Sequence, residues 1–528
     1  MAAPRRLWRF RSTQAEPIGI FEAQTLRGAV QYGFSMTSTR NVMKADLRRG
    51  PVVVIGGGVA GLAAANLLAR KGLSVTIFEA SGKLGGCCAT TTVDGYTFND
   101  GAVYVALTGL LDHAFAKLSL NRAELLPLRK ISRLSTTTLP DGTVVTLTAG
   151  PDLMVAGRTV DAKRLREELH RMVVRWQPVL RFVAEELAIH PFSYRQMVQK
   201  GWRHLHKLRG SVAAELNRLF SDHAVRSALS GALLYTGLPA KRMPVSAILG
   251  LIAGVTDGFY LPEGGMGRIP EVLSSCLRNR GVSVALDSEV KKIVIENGRV
   301  RGVEVEGAGQ VDAAAVISTA SGMLTFGGLM EPEQLPSAIV RKLRHAPLSH
   351  RAVSIQLGLS SRIEAPADSI SVLPWMERQQ EIFMQDGGDV KFPVYCVPTL
   401  TLPELAPRGG SIVEMFYPVR ADIPLEYWDE DRKARLTESA IAALRRTYSF
   451  NVAVTRVRTP VDFMERMHLF QGALYGLSPA ATPREQFPHY SGIPGLFLAG
   501  QTTFPGYGVG ATMMSGIFAA ESLLDGTN

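Results

Sequence analysis

A glycine-rich turn followed by a distant acid is the pattern in this chain whose residue types and spacing point most directly to chemistry. Gly56 allows a tight turn, and Gly58 lets the backbone approach a pyrophosphate that any side chain there would block. Gly61 lets the following helix pack closely on the preceding strand. Glu79 comes 23 residues after Gly56, where a carboxylate accepts hydrogen bonds from both ribose hydroxyls. These residues together predict a dinucleotide site.

The segments on either side of this turn are those that a dinucleotide site needs. Val52–Ile55 is a short β-branched run typical of a buried parallel strand, and 74–78 is a second strand. Residues 62–71 between them are rich in Ala and Leu and are followed by a glycine, as at the end of a helix. At the start of this helix, Val59 and Ala60 would direct free N–H groups and the positive end of the helix dipole at phosphates. The whole predicts a complete βαβ unit.

A glycine doublet beyond the acid distinguishes FAD from NAD. Gly85 and Gly86 lie six residues past Glu79 and allow a second turn free of side chains. Such a turn lets the chain wrap the flavin end of a long cofactor, which a single NAD-binding βαβ unit does not require. We therefore predict bound FAD, with Ala80 and Lys83 also lining its site.

The C-terminal part of the chain supports a flavin. A strand ends at residues 500–501, and the loop 504–511 leads into a last helix, Gly510 to Leu524, whose N-terminal dipole could point at the pyrimidine ring. Tyr507 lies in this loop and is a candidate catalytic residue, with packing against the cofactor as the alternative. The other residues predicted here to bind the cofactor are Gly500, Gln501, Val509, Gly510 and Ala511.

Composition narrows the class of protein. With 528 residues the chain is too long for one compact core, and 46% hydrophobic with 20% charged residues is typical of a folded globular protein. Its four cysteines have neither disulfide-framework nor zinc spacing, so we expect no metal and a reducing compartment such as the cytoplasm. Cys87 and Cys88 are adjacent, and packing beside the cofactor is favoured over a thiol redox pair.

The net charge of +11 is concentrated at the N-terminus. Residues 1–49 hold eight Arg and one Lys against three acids, which is +6 and leaves +5 for the rest. The charge therefore indicates a basic, disordered extension rather than nucleic-acid binding. Such a segment resembles an organellar transit peptide, and the alternative is translation that starts at Met43.

A predicted helical region, 151–259, interrupts the cofactor domain. Val160 to Glu186 and Ala213 to Leu234 have helical patterns, and Trp202 lies in a basic, aromatic stretch between them. No stretch of the chain reaches the ~18–20 apolar residues of a spanning helix. The interpretation is a substrate-covering region that contacts a membrane peripherally.

Three blocks of the sequence carry a family resemblance. The turns and acid above continue into Gly95-Tyr96-Thr97-Phe98-Asn99-Asp100-Gly101, the middle block includes Tyr260-Leu261-Pro262-Glu263-Gly264-Gly265-Met266-Gly267, and the last includes Phe504-Pro505-Gly506. Residues 51–105, 260–320 and 470–528 resemble the phytoene desaturase, carotenoid isomerase and retinol saturase group of flavoproteins, which is related to the flavin amine oxidases. In such families the backbone at the position of Val290 touches the adenine. Cys87, Asn99 and Gln501 depart from the usual Arg, acid and acid.

The resemblance implies the activity. The protein would place a C–C or C=C bond of an apolar polyene or isoprenoid against flavin N5 and exclude water. Desaturation, saturation and cis–trans isomerisation all remain open, and so does the electron partner: quinone, oxygen or reduced nicotinamide. The alternatives are an amine-oxidase-like enzyme and a non-enzymatic, flavin-bearing assembly subunit.

The predicted fold class is α/β, with a discontinuous Rossmann-type FAD-binding domain and a mixed-sheet and helical substrate domain. Segments 50–150, 260–325 and 455–528 would build the FAD-binding domain. Segments 151–259 and 326–454 would cover the flavin and form the substrate cavity. Asn297-Gly298 between two alternating runs predicts a β-hairpin.

Overall fold

The computed structural model describes residues 50–150, 152–384, 389–420 and 422–526. The basic extension 1–49 lies outside the described residues, so its disorder and its role in organellar import stay predictions.

Short strands make up the sheets of the described chain. In chain order they are β1 (Val52–Ile55), β2 (Val75–Phe78), β3 (Thr90–Val93), β4 (Tyr96–Asn99), β5 (Leu128–Lys130), β6 (Arg133–Thr138), β7 (Val144–Thr148), β8 (Leu153–Ala156), β9 (Tyr260–Pro262), β10 (Ser283–Ala285), β11 (Val290–Glu296), β12 (Arg299–Val305), β13 (Gly309–Asp312), β14 (Ala315–Ser318), β15 (Arg351–Leu359), β16 (Ser369–Val372), β17 (Val394–Cys396), β18 (Ser411–Val419), β19 (Val452–Arg458) and β20 (Leu496–Leu498).

Helices flank these sheets. In chain order they are α1 (Val59–Arg70), α2 (Thr108–Lys117), α3 (Arg122–Leu125), α4 (Ala162–Arg181), α5 (Tyr194–Leu205), α6 (Val212–Leu219), α7 (His223–Gly231), α8 (Ile248–Thr256), α9 (Arg268–Arg278), α10 (Gly322–Gly328), α11 (Ser337–His345), α12 (Glu430–Arg445), α13 (Pro460–Met467) and α14 (Val509–Asp525).

The first sheet is the parallel sheet of the predicted Rossmann-type domain. Its strand order is β10-β2-β1-β14-β20, and every neighbouring pair is parallel. The sheet thus takes strands from all three segments assigned to the FAD-binding domain. All four residues of β1 are buried, which explains the continuous β-branched run in its sequence.

Two helices pack on this sheet at very close range. A Cβ on Gly516 of α14 would lie 2.1 Å from the carbonyl oxygen of Ala60 in α1, so only glycine permits this approach. The two helices are buried along most of their lengths, which accounts for their Ala-rich and Gly-rich sequences. The N-terminal ends of both helices consequently reach one edge of the sheet.

The second sheet is mixed and has eight strands in the order β19-β15-β18-β17-β16-β6-β7-β8. Only the β16–β6 pair is parallel among the described pairings. Since β6 and β7 belong here, the segment 50–150 divides between the two sheets. The boundary at 455 likewise falls inside β19. Strands far apart in sequence complete this sheet, and local patterns carry no information about such pairing.

The region 151–259 is helical over most of its length and contains α4 to α8. The first four of these helices start at polar caps: the side chains of Asp161, Ser193, Ser211 and Asp222 each accept a hydrogen bond from a backbone N–H of the first turn. The predicted single helix from Ala213 to Leu234 is therefore two helices, because Asp222 begins a new one.

The predicted hairpin is confirmed. Strands β11 and β12 pair antiparallel around Asn297 and Gly298, which have φ of 52° and 73°. Positive φ at both central residues is the requirement that favours Asn-Gly in such turns. Within the described parts of the chain, we find no helix that is both long and apolar enough to cross a bilayer.

Candidate functional site

One large cavity lies between the parallel sheet, the mixed sheet and the helical region. Its volume is about 1370 Å³, above the ~300–1,000 Å³ of typical ligand pockets. Residues from each of the three FAD-domain segments line it, as do residues of both substrate-domain segments. The cavity therefore has room for an extended cofactor and a second molecule.

The glycine loop forms one end of the cavity wall. A Cβ on Gly58 would meet no described atom within 4 Å, so its side-chain position is open space on the cavity wall. Gly56 has φ of 96°, and a Cβ there would lie 2.5 Å from Thr319 Oγ1. At Gly61 a Cβ would lie 2.1 Å from the carbonyl oxygen of Gly56, so this residue packs the helix on the turn. The loop thus presents bare backbone to a ligand.

Glu79 is held rigidly beside this loop. Its Oε2 accepts a hydrogen bond from Gly57 N (2.7 Å), and its Oε1 accepts from Ser81 N (2.9 Å) and Ser81 Oγ (2.7 Å). The side chain is 8% exposed and lies on the cavity wall. A carboxylate with four acceptor sites per group retains capacity for a ribose.

The structure brings the sequence-predicted residues together. All except Gly61 line the one cavity: Gly56, Gly58, Val59, Ala60, Glu79, Ala80, Lys83, Gly85, Gly86, Val290, Gly500, Gln501, Tyr507, Val509, Gly510 and Ala511. That each one contacts FAD stays a prediction, and their placement supports it.

The second glycine turn is anchored by an ion pair. Gly85 and Gly86 have φ of 119° and 53°, a conformation that side chains disfavour. Lys83 Nζ binds Asp100 Oδ2 at 2.5 Å and also contacts the oxygens of Thr90 and Thr91. Lys83 therefore holds the turn against β3 and also lines the cavity.

The C-terminal loop also lines the cavity. Gln501 Nε2 donates to the carbonyl oxygen of Leu474 (3.1 Å), and the ring of Tyr507 packs against that of Tyr475 at 4.7 Å between centroids. No side chain caps the N-terminus of α14 after Gly508. Its first N–H groups are thus available to a ligand on the cavity wall.

These features fit FAD. The wall runs from a bare glycine loop with an adjacent acid, through a second side-chain-free turn, to an uncapped helix N-terminus. A Cβ at Gly58 would fill the space that the pyrophosphate needs, while the protein itself leaves that space empty.

The two adjacent cysteines next to the glycine turn are thiols. Both Cys87 and Cys88 are free. Burial raises the pKa of Cys87 to about 11 and that of Cys88 to about 12. Because the thiolate is the reactive form, these raised pKa values disfavour a redox role at neutral pH, in line with the packing role that the sequence favours. The described residues also contain no group of side chains that could hold a metal ion.

A buried ionic cluster joins the cofactor side to the mixed sheet. Asp100 Oδ1 accepts from Arg458 Nη2 at 2.5 Å and from Arg456 Nη2 at 3.1 Å, in addition to the bond from Lys83. Burial alone would raise the pKa of Asp100, but Arg458 and Lys83 bring it below its ordinary value. Asp100 is therefore ionised and shared by both parts of the molecule.

A second buried carboxyl on the cavity wall behaves differently. Glu414 accepts hydrogen bonds from Asn99 N (2.9 Å), Asn99 Nδ2 (3.2 Å) and Gln356 Nε2 (3.1 Å). Burial raises the pKa of Glu414 to about 7, which the hydrogen bonds from Asn99 only partly offset. Burial also raises the pKa of nearby Asp368 to about 7. In contrast to Asp100, Glu414 and Asp368 are thus mostly uncharged below neutral pH.

The sequence prediction missed most of these polar residues. Asp100 lies inside a quoted motif, but nothing local indicates its partners. Arg456 and Arg458 alternate in β19, and two cations at alternating strand positions are the one signal that could have indicated a shared face. Glu414 and Gln356 come from strands whose pairing is set by tertiary structure.

The fold and the cavity define a flavin-dependent oxidoreductase, with a cavity lined by residues from three separate segments. Residues 59–524 match the family described as flavin containing amine oxidoreductase. The chain belongs to that family. The predicted cofactor, enzyme class and fold class are thereby confirmed.

Individual proteins similar to this chain agree with the resemblance seen in the sequence. The zeta-carotene-forming phytoene desaturase of Myxococcus xanthus is 26% identical, covering 91% of this chain and 95% of the relative. The lycopene-forming phytoene desaturase of Pseudescherichia vulneris is also 26% identical, covering 90% and 99%. The crystal structure of an oxidoreductase from Methanosarcina mazei has TM-score 0.62 at 17% identity, covering 89% of this chain and 100% of its own, and shows a common fold.

Replacement of Gly58 tests the glycine loop. Gly58 has φ of −70°, which any residue adopts, and its Cβ position is open. Gly58→Val should therefore leave the apoprotein as stable as the native apoprotein, yet purify with at least about tenfold less FAD, since the side chain enters the pyrophosphate position. The measurement is FAD absorbance per protein, with chemical unfolding of both apoproteins.

The control for Gly58→Val is Gly109→Val, at an exposed helical glycine that also has no atom near its Cβ position. This control should retain native FAD content. Full FAD content in Gly58→Val would contradict the assignment of the loop.

The raised pKa of Glu414 predicts a pH dependence of stability. The folded protein keeps this proton up to about pH 7, whereas the unfolded chain loses it near the ordinary value of 4.5. The folded state binds more protons in this window, so Glu414 lowers the free energy of unfolding as pH rises from about 4.5 to 7. The free energy of unfolding of Glu414→Gln, relative to that of the native protein, should therefore rise by up to roughly 3 kcal/mol across this pH window.

Urea unfolding at several pH values measures this difference. Glu438→Gln, on the exposed side of α12, is the control. Its free energy of unfolding should equal that of the native protein at every pH. A constant difference between Glu414→Gln and the native protein would show that Glu414 is ionised in the fold.

Proposed function

We propose that this enzyme removes hydrogens from carbon–carbon bonds of an elongated isoprenoid, extending its conjugated double bonds. The observation that carries the proposal is the continuation of the cavity beyond the predicted cofactor wall and under the helical region. The two relatives described above are desaturases of such substrates, which supports oxidation over saturation or isomerisation.

The part of the cavity under the helices is apolar. Its wall is formed by side chains of α4, the π-helical turn that follows it, and α8: Leu180, Val183, Ala184, Leu187, Ala188, Leu249 and Ala253. Burying hydrocarbon against such a wall contributes about 25 cal/mol per Å² of apolar surface. An elongated apolar chain therefore gains free energy along the length of this wall.

The protein contributes to the reaction by positioning the substrate and excluding water. Bound FAD provides hydride and electron chemistry, which protein side chains lack. The helical wall holds the apolar chain in place and keeps water away from the reacting carbons. Tyr507 lies on the wall at the start of α14 and can orient the substrate through its ring.

Amine oxidation is less well supported by the site. An ammonium group would need a fixed anion in the cavity. The ionised carboxylate of Asp100 on the wall already bonds three cations. Glu414 on the wall and Asp368 near it both have a pKa of about 7 because they are buried, and so are largely protonated below neutral pH. The apolar wall also offers an amine no partner.

We further propose that the enzyme reaches its substrate at a membrane surface. Helix α5 exposes Tyr194, Val198 and Trp202 at four-residue intervals, so these side chains share one face of the helix. Trp202 is 62% exposed, and the guanidinium of Arg203 lies 5.3 Å from its ring centre. An exposed apolar face with adjacent cations suits an anionic bilayer surface.

This face adjoins the cavity. Phe192 precedes α5 and contacts Tyr194 at 4.7 Å and Phe504 at 5.2 Å between ring centroids. Phe504 itself lines the cavity. An apolar substrate could thus pass from the bilayer to the cavity over a continuous aromatic path.

An anaerobic single-turnover experiment tests the desaturase proposal. FAD-loaded protein mixed with a partly saturated carotene should lose its oxidised-flavin absorbance and yield a product lighter by two hydrogens in mass spectrometry. Unchanged mass with a new retention time, seen only after the flavin is reduced, would replace desaturation by isomerisation. Flavin reduction by amines and by no polyene would overturn the proposal.

Vesicle flotation tests the membrane proposal. Val198→Glu combined with Trp202→Glu should weaken binding to phosphatidylserine-containing vesicles at least about tenfold, because burying each large side chain contributes roughly 1.5–3 kcal/mol. Leu286→Glu, at an exposed apolar residue next to β10, is the control and should bind as the native protein does. Equal binding by both variants would show that α5 is not the contact surface.

A further inference from the structure

The mixed sheet presents a row of polar side chains to the cavity. Ser135 pairs with Ser369, Ser369 with Cys396, Cys396 with Glu414, Glu414 with Gln356, and Gln356 with Arg456. All six residues line the cavity. They come from six neighbouring strands and lie side by side on one face of the sheet. We call these six residues the polar row.

The polar row spans much of the width of the mixed sheet. Adjacent strands lie about 4.8 Å apart, so five spacings give a length of about 24 Å. The Arg456 end is bonded to Asp100 beside the second glycine turn, where the cofactor is predicted. The Ser135 end therefore lies far from the cofactor, in the part of the cavity left for substrate.

Four tyrosine side chains face the same space. Tyr104, Tyr235, Tyr475 and Tyr507 come from separate segments, and all line the cavity. Tyr475 and Tyr507 pack against each other, and Tyr104 stacks on Phe259 at 4.5 Å. No hydrogen bond joins any of the four hydroxyls to another residue in the part of the chain that the structure describes. By contrast, the hydroxyl of Tyr96 bonds to Leu359 O and that of Tyr395 to the hydroxyl of Tyr448. Burial raises the pKa of each, so all four are O–H donors near neutral pH.

A bare hydrocarbon leaves these groups unsatisfied. It would displace water from the tyrosine hydroxyls and from the serines of the polar row, and it offers no hydrogen bond in return. Each polar group left without a partner weakens binding about tenfold or more. The apolar helical wall and the polar sheet wall together fit a molecule that is apolar along one side and carries oxygen on the other.

The positions of the cations in the cavity indicate whether that oxygen belongs to a charged or a neutral group. Lys83, Arg456 and Arg458 all pair with Asp100, and Arg466 pairs with Asp462. Three of these cations share the single carboxylate of Asp100, so the positive charge that remains lies at the Arg456 end of the polar row. Within the described ranges, no Lys or Arg on β6, β16 or β17 lines the cavity beside the Ser135–Cys396 part of the row. A carboxylate or phosphate there would find no countercharge, so a neutral oxygen is favoured at that end.

We infer that the substrate is an oxygenated isoprenoid, a polyene alcohol or aldehyde, whose oxygen binds between the tyrosine hydroxyls and the Ser135–Cys396 part of the polar row. This inference rests on the proposed function and makes its substrate more specific. A site that hydrogen-bonds a substrate oxygen rejects the analogue that lacks it far more strongly than an apolar pocket rejects an extra group.

Binding of a matched pair of ligands tests the inference. Quenching of flavin fluorescence in FAD-loaded native protein gives Kd for a carotene hydrocarbon and for the alcohol of the same carbon skeleton. The alcohol should bind at least about tenfold more tightly, which corresponds to one satisfied hydrogen bond. Equal Kd values, or tighter binding of the hydrocarbon, would overturn the inference.

Variants locate the oxygen. Tyr104→Phe and Tyr235→Phe each remove one hydroxyl and keep the ring, and at least one should lower the alcohol-to-hydrocarbon preference about tenfold. Tyr490→Phe, at a tyrosine that does not line the cavity, should keep the native preference. If the native preference exists and no tyrosine variant reduces it, Ser369→Ala decides: an unchanged preference there too would overturn the assigned position.

The two proposals fail in different ways. If the hydrocarbon is desaturated as efficiently as the alcohol, the oxygenated substrate is wrong and the desaturase proposal stands. If neither ligand is chemically changed in the single-turnover experiment while an amine reduces the flavin, the proposed function is overturned and the inference with it.

Discussion

The buried carboxylate of Asp100 ties the two halves of this molecule together. It accepts from Lys83 on the cofactor side and from Arg456 and Arg458 on the mixed sheet. Removing Asp100 would leave the largely buried Arg456 and Arg458 without a counterion, and an uncompensated buried charge is strongly destabilising. The cavity lies between these halves, so its width and the position of its walls depend on this cluster.

Two walls of opposite character follow from that arrangement. The mixed sheet sends alternate side chains of six strands into the cavity, and most of these are polar. The helical region contributes aliphatic side chains from the other side. Because the aliphatic wall excludes water, each polar group on the sheet has a larger effect on the free energy of substrate binding. An unpaired polar group is costly in a dry site. Substrate choice thus depends on the combination of the two walls.

The cofactor side works mainly through the backbone. Gly56, Gly58 and Gly61 act by having no side chain: one adopts a positive φ, one leaves space for a ligand, and one permits close packing. Glu79 is the side chain among them that is predicted to bond the ribose, and backbone and hydroxyl donors already orient it. This division explains why a bound dinucleotide can be predicted from a short stretch, whereas the substrate cannot.

The sequence by itself determined the parts of the protein that are local. Residues 51–79 specify the βαβ unit and the dinucleotide loop, because glycine spacing and β-branched runs act within about thirty residues. Asn297-Gly298 specifies its hairpin for the same reason. Only the tertiary structure decided that β6 and β7 join the mixed sheet, that Asp100 meets Arg456, and that burial raises the pKa of Glu414. These outcomes depend on pairing between strands hundreds of residues apart and on burial, which no local pattern encodes.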